Sequence, residues 1–211
     1  MMKFTTALMT LGLYAAATPV LAQSAELTIV GNLLPGACTT VLAGGGVVDL
    51  GTTLAEKLDP TEETSLGSVR VAMTVTCLVP VRFAFMGIDN TGDSASVATR
   101  YGLGLSPDAE KIGGAVISFK DPSSDGSPVH YTRSEDGGQQ WEPSGNEGST
   151  WLGKVSINGF STAPGVVTGP DPIASLQVDL EVRTYVQPTN ALTIDDNVPI
   201  HGSATVDLIY L

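Results

Sequence analysis

The chain has 211 residues, and its 22 acidic and 10 basic side chains give a formal net charge of −12. Binding to nucleic acid or to an anionic membrane surface relies on clusters of Lys and Arg, which this sequence lacks, so neither is an expected partner. Gly (24) and Pro (13) are frequent and charged residues make up only 15%. This composition is typical of an all-β protein with many turns.

The first 22 residues have the pattern of a secretion signal. A weakly basic start, residues 1–3, precedes an apolar segment without acidic residues, 4–17. Small or apolar residues then stand at 19–22, where a signal peptidase reads the chain. The segment is too short to anchor a protein in a membrane. We therefore expect cleavage after Ala22 and a mature chain that functions outside the cytoplasm.

A short alternating strand follows directly. Leu27, Ile29, Gly31 and Leu33 fall on one face, because successive side chains of a strand point to opposite sides. A strand of this length needs a partner sheet to bury that face. The partner sheet could belong to the same domain or to a neighbouring molecule.

Two cysteines, Cys38 and Cys77, are present in the chain. In an exported protein an even number of cysteines predicts a disulfide. The alternatives are a nucleophilic thiol or a metal site, but neither has a nearby His or a third Cys to support it. We therefore predict a Cys38–Cys77 disulfide and no metal site.

The rest of the chain contains many short alternating segments separated by turns. A glycine-rich turn is expected at 43–46, a polar connection at 56–68 and an irregular stretch at 121–150. Strands are predicted near residues 69–77, 80–86, 101–105, 115–120, 151–157, 176–183 and 203–211. No segment has sustained helical periodicity, and this pattern predicts an all-β sandwich.

Three features together resemble the chaperone–usher pilins, the fimbrial subunits of Gram-negative bacteria. The N-terminal strand carries Gly31 with Cys38 seven residues later, the cysteine pair links the start of the domain to a long strand, and the final strand has a penultimate aromatic, Tyr210. Segments 101–105 and 195–200 make the chain most similar to a poorly characterised fimbrial-like branch. The resemblance implies an incomplete immunoglobulin-like β-sandwich with an N-terminal donor strand.

The resemblance also implies binding partners and an assembly pathway. Pilins expose a groove that a periplasmic chaperone fills first and the N-terminal strand of a neighbouring subunit fills later, through the outer-membrane usher. The donor residues would be Leu27, Ile29, Gly31 and Leu33, with Gly31 in the narrowest pocket. The chaperone would contact Val206, Leu208, Tyr210 and Leu211. The product would be an extracellular fimbria that contributes to adhesion.

This organisation divides the chain into a signal (1–22), a donor-strand extension (23–34) and a pilin-like β-sandwich (35–211). The chain is longer than a typical shaft pilin, and the excess is expected as an irregular insertion near 121–150. The insertion leaves open whether the protein is a major shaft subunit, a minor adaptor or a tip subunit.

One motif, Ser134 to Trp141, fits the S-x-D-x-G-x-x-W pattern called an Asp box in sialidases. There it forms a hairpin turn held by Asp and packed by Trp, and we expect the same structural role here. A sialidase would need several such boxes and an Arg cluster. His130 and His201 have no recognisable nucleophile or metal group beside them. We therefore predict no catalytic residues, no cofactor and no enzymatic activity.

Two further possibilities remain open from the sequence. Trp141 and Trp151 could form a sugar-stacking platform, or both could simply pack against the sandwich. The first option supports a different function, a self-complete secreted carbohydrate-binding module in which residues 23–34 pair within their own domain. Oxygen-rich turns at 89–93 and 121–126 could hold calcium, but neither has EF-hand spacing, and turns favour these residues anyway.

Overall fold

Twelve β-strands make up nearly half of the part of the chain that the computed structural model describes, residues 37–145 and 149–211. These residues belong to one compact unit, Pro35–Leu211. The strands are β1 (Cys38–Leu42), β2 (Thr64–Val81), β3 (Phe83–Asp89), β4 (Tyr101–Gly102), β5 (Gly113–Ser124), β6 (Ser127–Pro128), β7 (His130–Ser134), β8 (Glu142–Pro143), β9 (Ser149–Trp151), β10 (Ile157–Ser161), β11 (Ile173–Val186) and β12 (Ala204–Tyr210). Short 3-10 turns lie at Ala43–Gly46, Ala55–Lys57 and Thr189–Ala191.

The strands form two antiparallel sheets. The seven-stranded sheet has the order β1-β2-β11-β5-β4, with β6 and β9 also paired to β5. The five-stranded sheet has the order β12-β3-β10-β7-β8. The two sheets pack face to face around a common core, so the predicted all-β sandwich is confirmed.

The long central strands follow the alternating patterns of the sequence. On β2, Val71, Met73 and Val75 are buried while the residues between them are exposed. On β11, Leu176 and Leu180 are likewise buried. The two strands pair antiparallel along most of their lengths. Both predicted strands, 69–77 and 176–183, are therefore confirmed.

Strand β2 is longer than its pattern predicts. Residues 64–68 were expected within a polar connection, but they pair with the end of β11, from Thr64 opposite Val186 to Ser68 opposite Arg183. A register shift between Thr184 and Tyr185 accommodates this extension. The prediction of a connection here is wrong. Residues 64–68 have no strand pattern of their own, but pairing with β11 holds them in a strand.

Residues 121–150 contribute more regular structure than the sequence pattern predicts. Within the described residues of this stretch, β7 pairs with β10 inside the five-stranded sheet, and β9 pairs with β5 in the other. Two polar residues of β7, Thr132 and Ser134, are almost completely inaccessible. Because these buried positions are polar, the sequence of β7 lacks the apolar alternation that indicates a strand.

Four phenylalanines bring the two sheets together. Phe83, Phe85 and Phe160 come from the five-stranded sheet and Phe119 from the other, and all four are almost fully buried. The rings of Phe85 and Phe119 lie 5.6 Å apart between centroids, and those of Phe119 and Phe160 lie 5.7 Å apart in an edge-to-face arrangement. Such contacts stabilise a core beyond the burial of area alone.

The predicted disulfide is present. Cys38 and Cys77 lie directly opposite each other on β1 and β2, and their sulfur atoms are bonded. Beyond β1 the chain reverses at Ala43–Gly46, where Gly44, Gly45 and Gly46 all have positive φ, a conformation that glycine adopts without a steric penalty. No helix in the described part of the chain has the length and apolar character needed to cross a membrane.

Candidate functional site

A long groove opens on one side of the sandwich, where the first strand of one sheet faces the last strand of the other. Among the described residues, β1 pairs only with β2 and β12 only with β3. Within the described part of the chain, each of these strands therefore pairs with another strand along one edge only. The cavity between the sheets here has a volume of about 850 Å³.

The walls of this groove are apolar and come from both sheets. Leu42 and Leu66 line it from the seven-stranded sheet, and Ala204 and Val206 line it from β12. All four are only partly buried, although they pack against the hydrophobic core. Buried core residues such as Leu180 form the floor. Apolar core surface is thus accessible along the groove.

Two connecting segments, residues 46–55 and most of residues 196–203, also line the groove. Val47 and Leu54 in the first of them are more than half exposed. Asp49 and Asp196 are the only charged side chains among the described residues that line the groove. The lining therefore combines many apolar side chains with two acidic ones.

A polar cluster lies beneath one part of the groove. The hydroxyl of Tyr101 donates a hydrogen bond to the carbonyl of Leu152 at 2.8 Å. Burial, assisted by the charge of Asp89, raises the pKa of Tyr101 above its ordinary value. Burial also acts to raise the pKa of Asp89, but hydrogen bonds from Thr91 and Gly102 outweigh it and lower that pKa overall. At neutral pH the phenol is therefore neutral and the carboxylate charged.

The carboxylate of Asp89 is held in place by hydrogen bonds from neighbouring residues. One carboxylate oxygen accepts bonds from the amide and hydroxyl of Thr91, and the other accepts the amide of Gly102 at 3.0 Å, with Lys154 Nζ at 3.5 Å. The turn at 89–93 is thus explained by internal hydrogen bonds. Within the described residues, no three His, Cys, Asp or Glu side chains cluster closely enough to hold a metal ion.

The two edges that flank the groove meet beyond it. The hydroxyl of Tyr210 on β12 accepts a hydrogen bond from the backbone amide of Cys38 on β1 at 2.7 Å. The backbone amide of Leu211 donates to the carbonyl of Arg82 at 3.1 Å. The C-terminal strand is thus fixed at its end to both sheets.

The four C-terminal residues predicted to contact a chaperone differ in their surroundings. Val206 lines the groove, and Leu208 is half-buried against the core. Tyr210 and Leu211 are each about half exposed, at 51% and 49%. The predicted donor residues Leu27, Ile29, Gly31 and Leu33 lie outside the described residues.

The Asp box has the geometry that the sequence predicts. Asp136 accepts hydrogen bonds from the amides of Gln139 and Gln140, and these bonds, with one from Ser134, lower the pKa of Asp136. The motif joins β7 to β8, which pair as a hairpin. Trp141 donates from Nε1 to the carbonyl of Gly138 at 3.0 Å. The structural interpretation of the motif is confirmed.

The two tryptophans have different surroundings. Trp141 is half-buried and packs close to Gly169, where a Cβ would lie 3.0 Å from the indole nitrogen. Trp151 is 69% exposed and lines a separate pocket with Arg133, to which Trp141 does not contribute. Of the two tryptophans, only Trp151 thus lines this pocket. Sequence analysis missed Arg133, which had no motif of its own to mark it.

Comparisons with known proteins give similarity without an assigned activity. Residues 27–100 match a family described as "Protein of unknown function (DUF1120)". The chain is also similar to "Protein GltF" of Escherichia coli (strain K12), with 27% identity over 224 residues that cover 88% of each chain.

The family match covers part of the groove lining. It begins at Leu27, within the predicted donor segment, and continues through β1, β2 and β3. It therefore includes the disulfide and Leu42 and Leu66 in the groove wall, but not β12. The similarity to Protein GltF extends over most of the chain.

Proposed function

We propose that this protein is a structural subunit of a fimbria, assembled by the chaperone–usher pathway through donor-strand exchange. The observation that carries the proposal is the apolar groove between β1 and β12, about 850 Å³ in volume. A sandwich whose two edge strands each pair with one strand among the described residues, with accessible core residues between them, has room for one further strand. A strand added in the groove would pair with an edge strand and cover the accessible core residues.

The proposed occupant is the N-terminal segment of a neighbouring subunit, residues 23–34. Its alternation places Leu27, Ile29, Gly31 and Leu33 on one face, and that face is apolar except for the glycine. Backbone hydrogen bonds to an edge strand would give affinity, and alternate side chains in the groove would set the register. Gly31 would occupy the narrowest position, where a larger side chain has no room.

A groove of this kind also requires protection before assembly. Exposed apolar surface beside unpaired strand edges promotes aggregation. In this proposal, a periplasmic chaperone covers the groove and contacts the C-terminal strand through Val206, Leu208, Tyr210 and Leu211. An outer-membrane usher then directs the exchange, and the fimbria extends from the cell surface, where it contributes to adhesion.

The decisive experiment measures the melting temperature of a variant that begins at Pro35, with and without a synthetic peptide of residues 23–34. We expect the peptide to raise the melting temperature by many degrees, because a ligand that binds only the folded state stabilises it. A peptide carrying Gly31→Leu and a scrambled peptide of the same composition are the matched controls. Neither should produce the rise.

A variant that melts at high temperature by itself and does not respond to the peptide would overturn the proposal. Such a result would favour a self-complete secreted module in which residues 23–34 pair within their own domain. An equal response to the Gly31→Leu peptide would refute the assigned role of Gly31 while leaving the groove as a binding site.

A further inference from the structure

A second, polar pocket lies at the edge of the five-stranded sheet opposite β12. Its volume is about 350 Å³, and Arg133, Ser144, Thr150, Trp151 and Ser156 line it together with two glycines. Among the described residues that line the pocket, Arg133 is the only charged one, in a chain whose acidic residues outnumber its basic ones by 22 to 10. A basic side chain at a pocket of an acidic protein is a contact point for an anionic ligand.

The hydroxyl groups of the pocket continue into a buried hydrogen-bond network. The hydroxyls of Ser144 and Thr150 lie 2.8 Å apart, and that of Thr150 lies 3.4 Å from the side-chain oxygen of Asn158. Asn158, which is completely buried, donates from Nδ2 to the carbonyl of Trp151 at 2.9 Å. This network fixes the positions of the lining groups and so preorganises the pocket for a hydroxylated ligand.

The guanidinium of Arg133 has only part of its hydrogen-bonding capacity satisfied. Its Nη2 donates to a carboxylate oxygen of Glu135, whose side chain is 68% exposed. Its Nε is inaccessible to solvent and has no hydrogen-bond partner among the described residues. The Nε and Nη2 of an arginine form a fork that matches both oxygens of one carboxylate. Here Glu135 satisfies only one side of that fork.

Trp151 completes the set of groups at the rim. Its indole is 69% exposed although large aromatic side chains are usually buried. An exposed ring beside a pocket of hydroxyl groups offers an apolar face for stacking and polar groups for orientation, the combination found in small-molecule sites. A pyranose ring presents apolar C–H groups on one face and hydroxyls around its edge, and so meets both requirements.

We propose that this pocket binds a sugar residue that carries a carboxylate. The carboxylate displaces Glu135 and takes the Nε–Nη2 edge of Arg133, the ring stacks on Trp151, and the hydroxyls of Ser144 and Ser156 contact the sugar hydroxyls. The pocket volume of about 350 Å³ fits one such residue. This site is distinct from the groove, so the proposal does not depend on strand exchange.

The test is a titration of the full mature chain with methyl glucuronide and with the methyl glycoside of N-acetylneuraminic acid, followed by tryptophan fluorescence. Methyl glucoside, which has the same ring as the glucuronide without the charge, and sodium acetate are the reference ligands. We expect at least one acidic sugar to bind about tenfold more tightly than methyl glucoside, because a charge-assisted bond is added. Acetate should bind more weakly than that sugar.

Single substitutions test which side chains contact the sugar. Arg133→Lys keeps the charge but removes the fork, and it should reduce the preference for the acidic sugar without abolishing it. Trp151→Ala should weaken both sugars, while Trp141→Phe, a change outside the pocket, should weaken neither. Glu135→Gln should strengthen binding of the acidic sugar severalfold, because the competing carboxylate is removed. Since Glu135 is exposed, this variant tests the site without disturbing the core.

Failure of both acidic sugars to bind would overturn the proposal. Equal affinity for methyl glucoside would refute the carboxylate contact, and acetate binding as tight as the sugar would reduce the site to a simple anion site. Unchanged or weaker binding by Glu135→Gln would also contradict the arrangement. None of these results bears on the groove, because the peptide-induced rise in melting temperature is measured separately.

Discussion

The hydroxyl of Tyr210, the second-last residue, accepts a hydrogen bond from the backbone amide of Cys38, the first residue of β1, at 2.7 Å. Cys38 is also bonded to Cys77. The end of β12 is therefore tied to β1, and β1 is tied covalently to β2. These two links hold the flanks of the groove together beyond its open part, so the groove can remain accessible without the sheets separating.

The Tyr210 link can be tested by Tyr210→Phe, which removes only the hydroxyl. We expect a loss of about 1 kcal/mol in the free energy of unfolding, because the side chain is half exposed and water replaces the bond. Tyr101→Phe is the matched comparison. Its hydroxyl bonds the Leu152 carbonyl in a buried setting, so the loss should be larger, about 1–3 kcal/mol.

Urea unfolding of both variants against the wild type provides the measurement. A Tyr210→Phe variant as stable as the wild type would show that the bond to Cys38 makes no contribution in solution. A loss equal to that of Tyr101→Phe would show that Tyr210 is shielded from water.

The disulfide should be a major source of stability, because it closes a loop between residues 39 apart in sequence. On the chain-entropy model this contributes about 3–4 kcal/mol. A Cys38→Ala/Cys77→Ala variant should lose this amount in urea unfolding, and reduction of the wild type by dithiothreitol should give a similar loss. Dithiothreitol should leave the double variant unchanged. A reducible wild type with undiminished stability would contradict this account.

The sequence predicts the elements whose two faces differ in polarity. Strands β2 and β11 alternate apolar and polar residues because one face is buried and the other meets water. The cysteine pair and the Asp box are predicted equally well, since each depends on local chemistry that the residue types specify. The groove could be anticipated only through the resemblance to pilins, because a gap between two sheets depends on long-range packing and has no local sequence pattern.

Other features depend on long-range contacts that a single sequence does not display. The Thr132 and Ser134 side chains of β7 are polar yet buried, and their strand is recognisable only from its pairing with β10. Arg133 becomes a candidate ligand-binding residue only once the fold places it beside Trp151. The sequence paired Trp151 with Trp141 because both were tryptophans in one polar stretch, whereas the structure gives them different surroundings.

Asp89 should make stability depend on acid pH. Its pKa in the folded protein is lowered from the ordinary 3.8, so its contribution is present above that value and is lost as pH falls below it. At pH 7, Asp89→Asn should cost about 1.5–3 kcal/mol, because bonds to a buried carboxylate are weakened. The difference between wild type and variant should shrink as pH is lowered through the acid range.

Thermal or urea unfolding at several pH values between neutral and strongly acidic would measure this dependence. Thr91→Val removes one of the donors and retains the carboxylate, so it should give an intermediate effect at pH 7. A difference between wild type and Asp89→Asn that stays constant with pH would show that the carboxylate charge is not the source of the effect.

The tryptophans should differ in their contribution to stability. Trp141→Phe removes the hydrogen bond to the Gly138 carbonyl and part of the packing against Gly169, so it should cost about 1–2 kcal/mol. Trp151→Phe changes an exposed side chain and should leave the free energy of unfolding unchanged. Urea unfolding of the two variants distinguishes them. Equal losses would place Trp151 in a structural role and weaken the case for it as a ligand-binding residue.

Adjacent residues of β1 offer a matched test of the groove. Leu42 lines it, whereas Val41 is 57% exposed and does not contribute to its lining. If the donor segment binds in the groove, Leu42→Asn in the variant that begins at Pro35 should abolish the rise in melting temperature caused by the 23–34 peptide, because a polar amide then faces an apolar strand. Val41→Asn should preserve the rise. Since the readout is the increment due to the peptide, a lower starting stability of Leu42→Asn does not affect the comparison. Loss of the response in both variants would place the peptide on the outer surface of β1 instead.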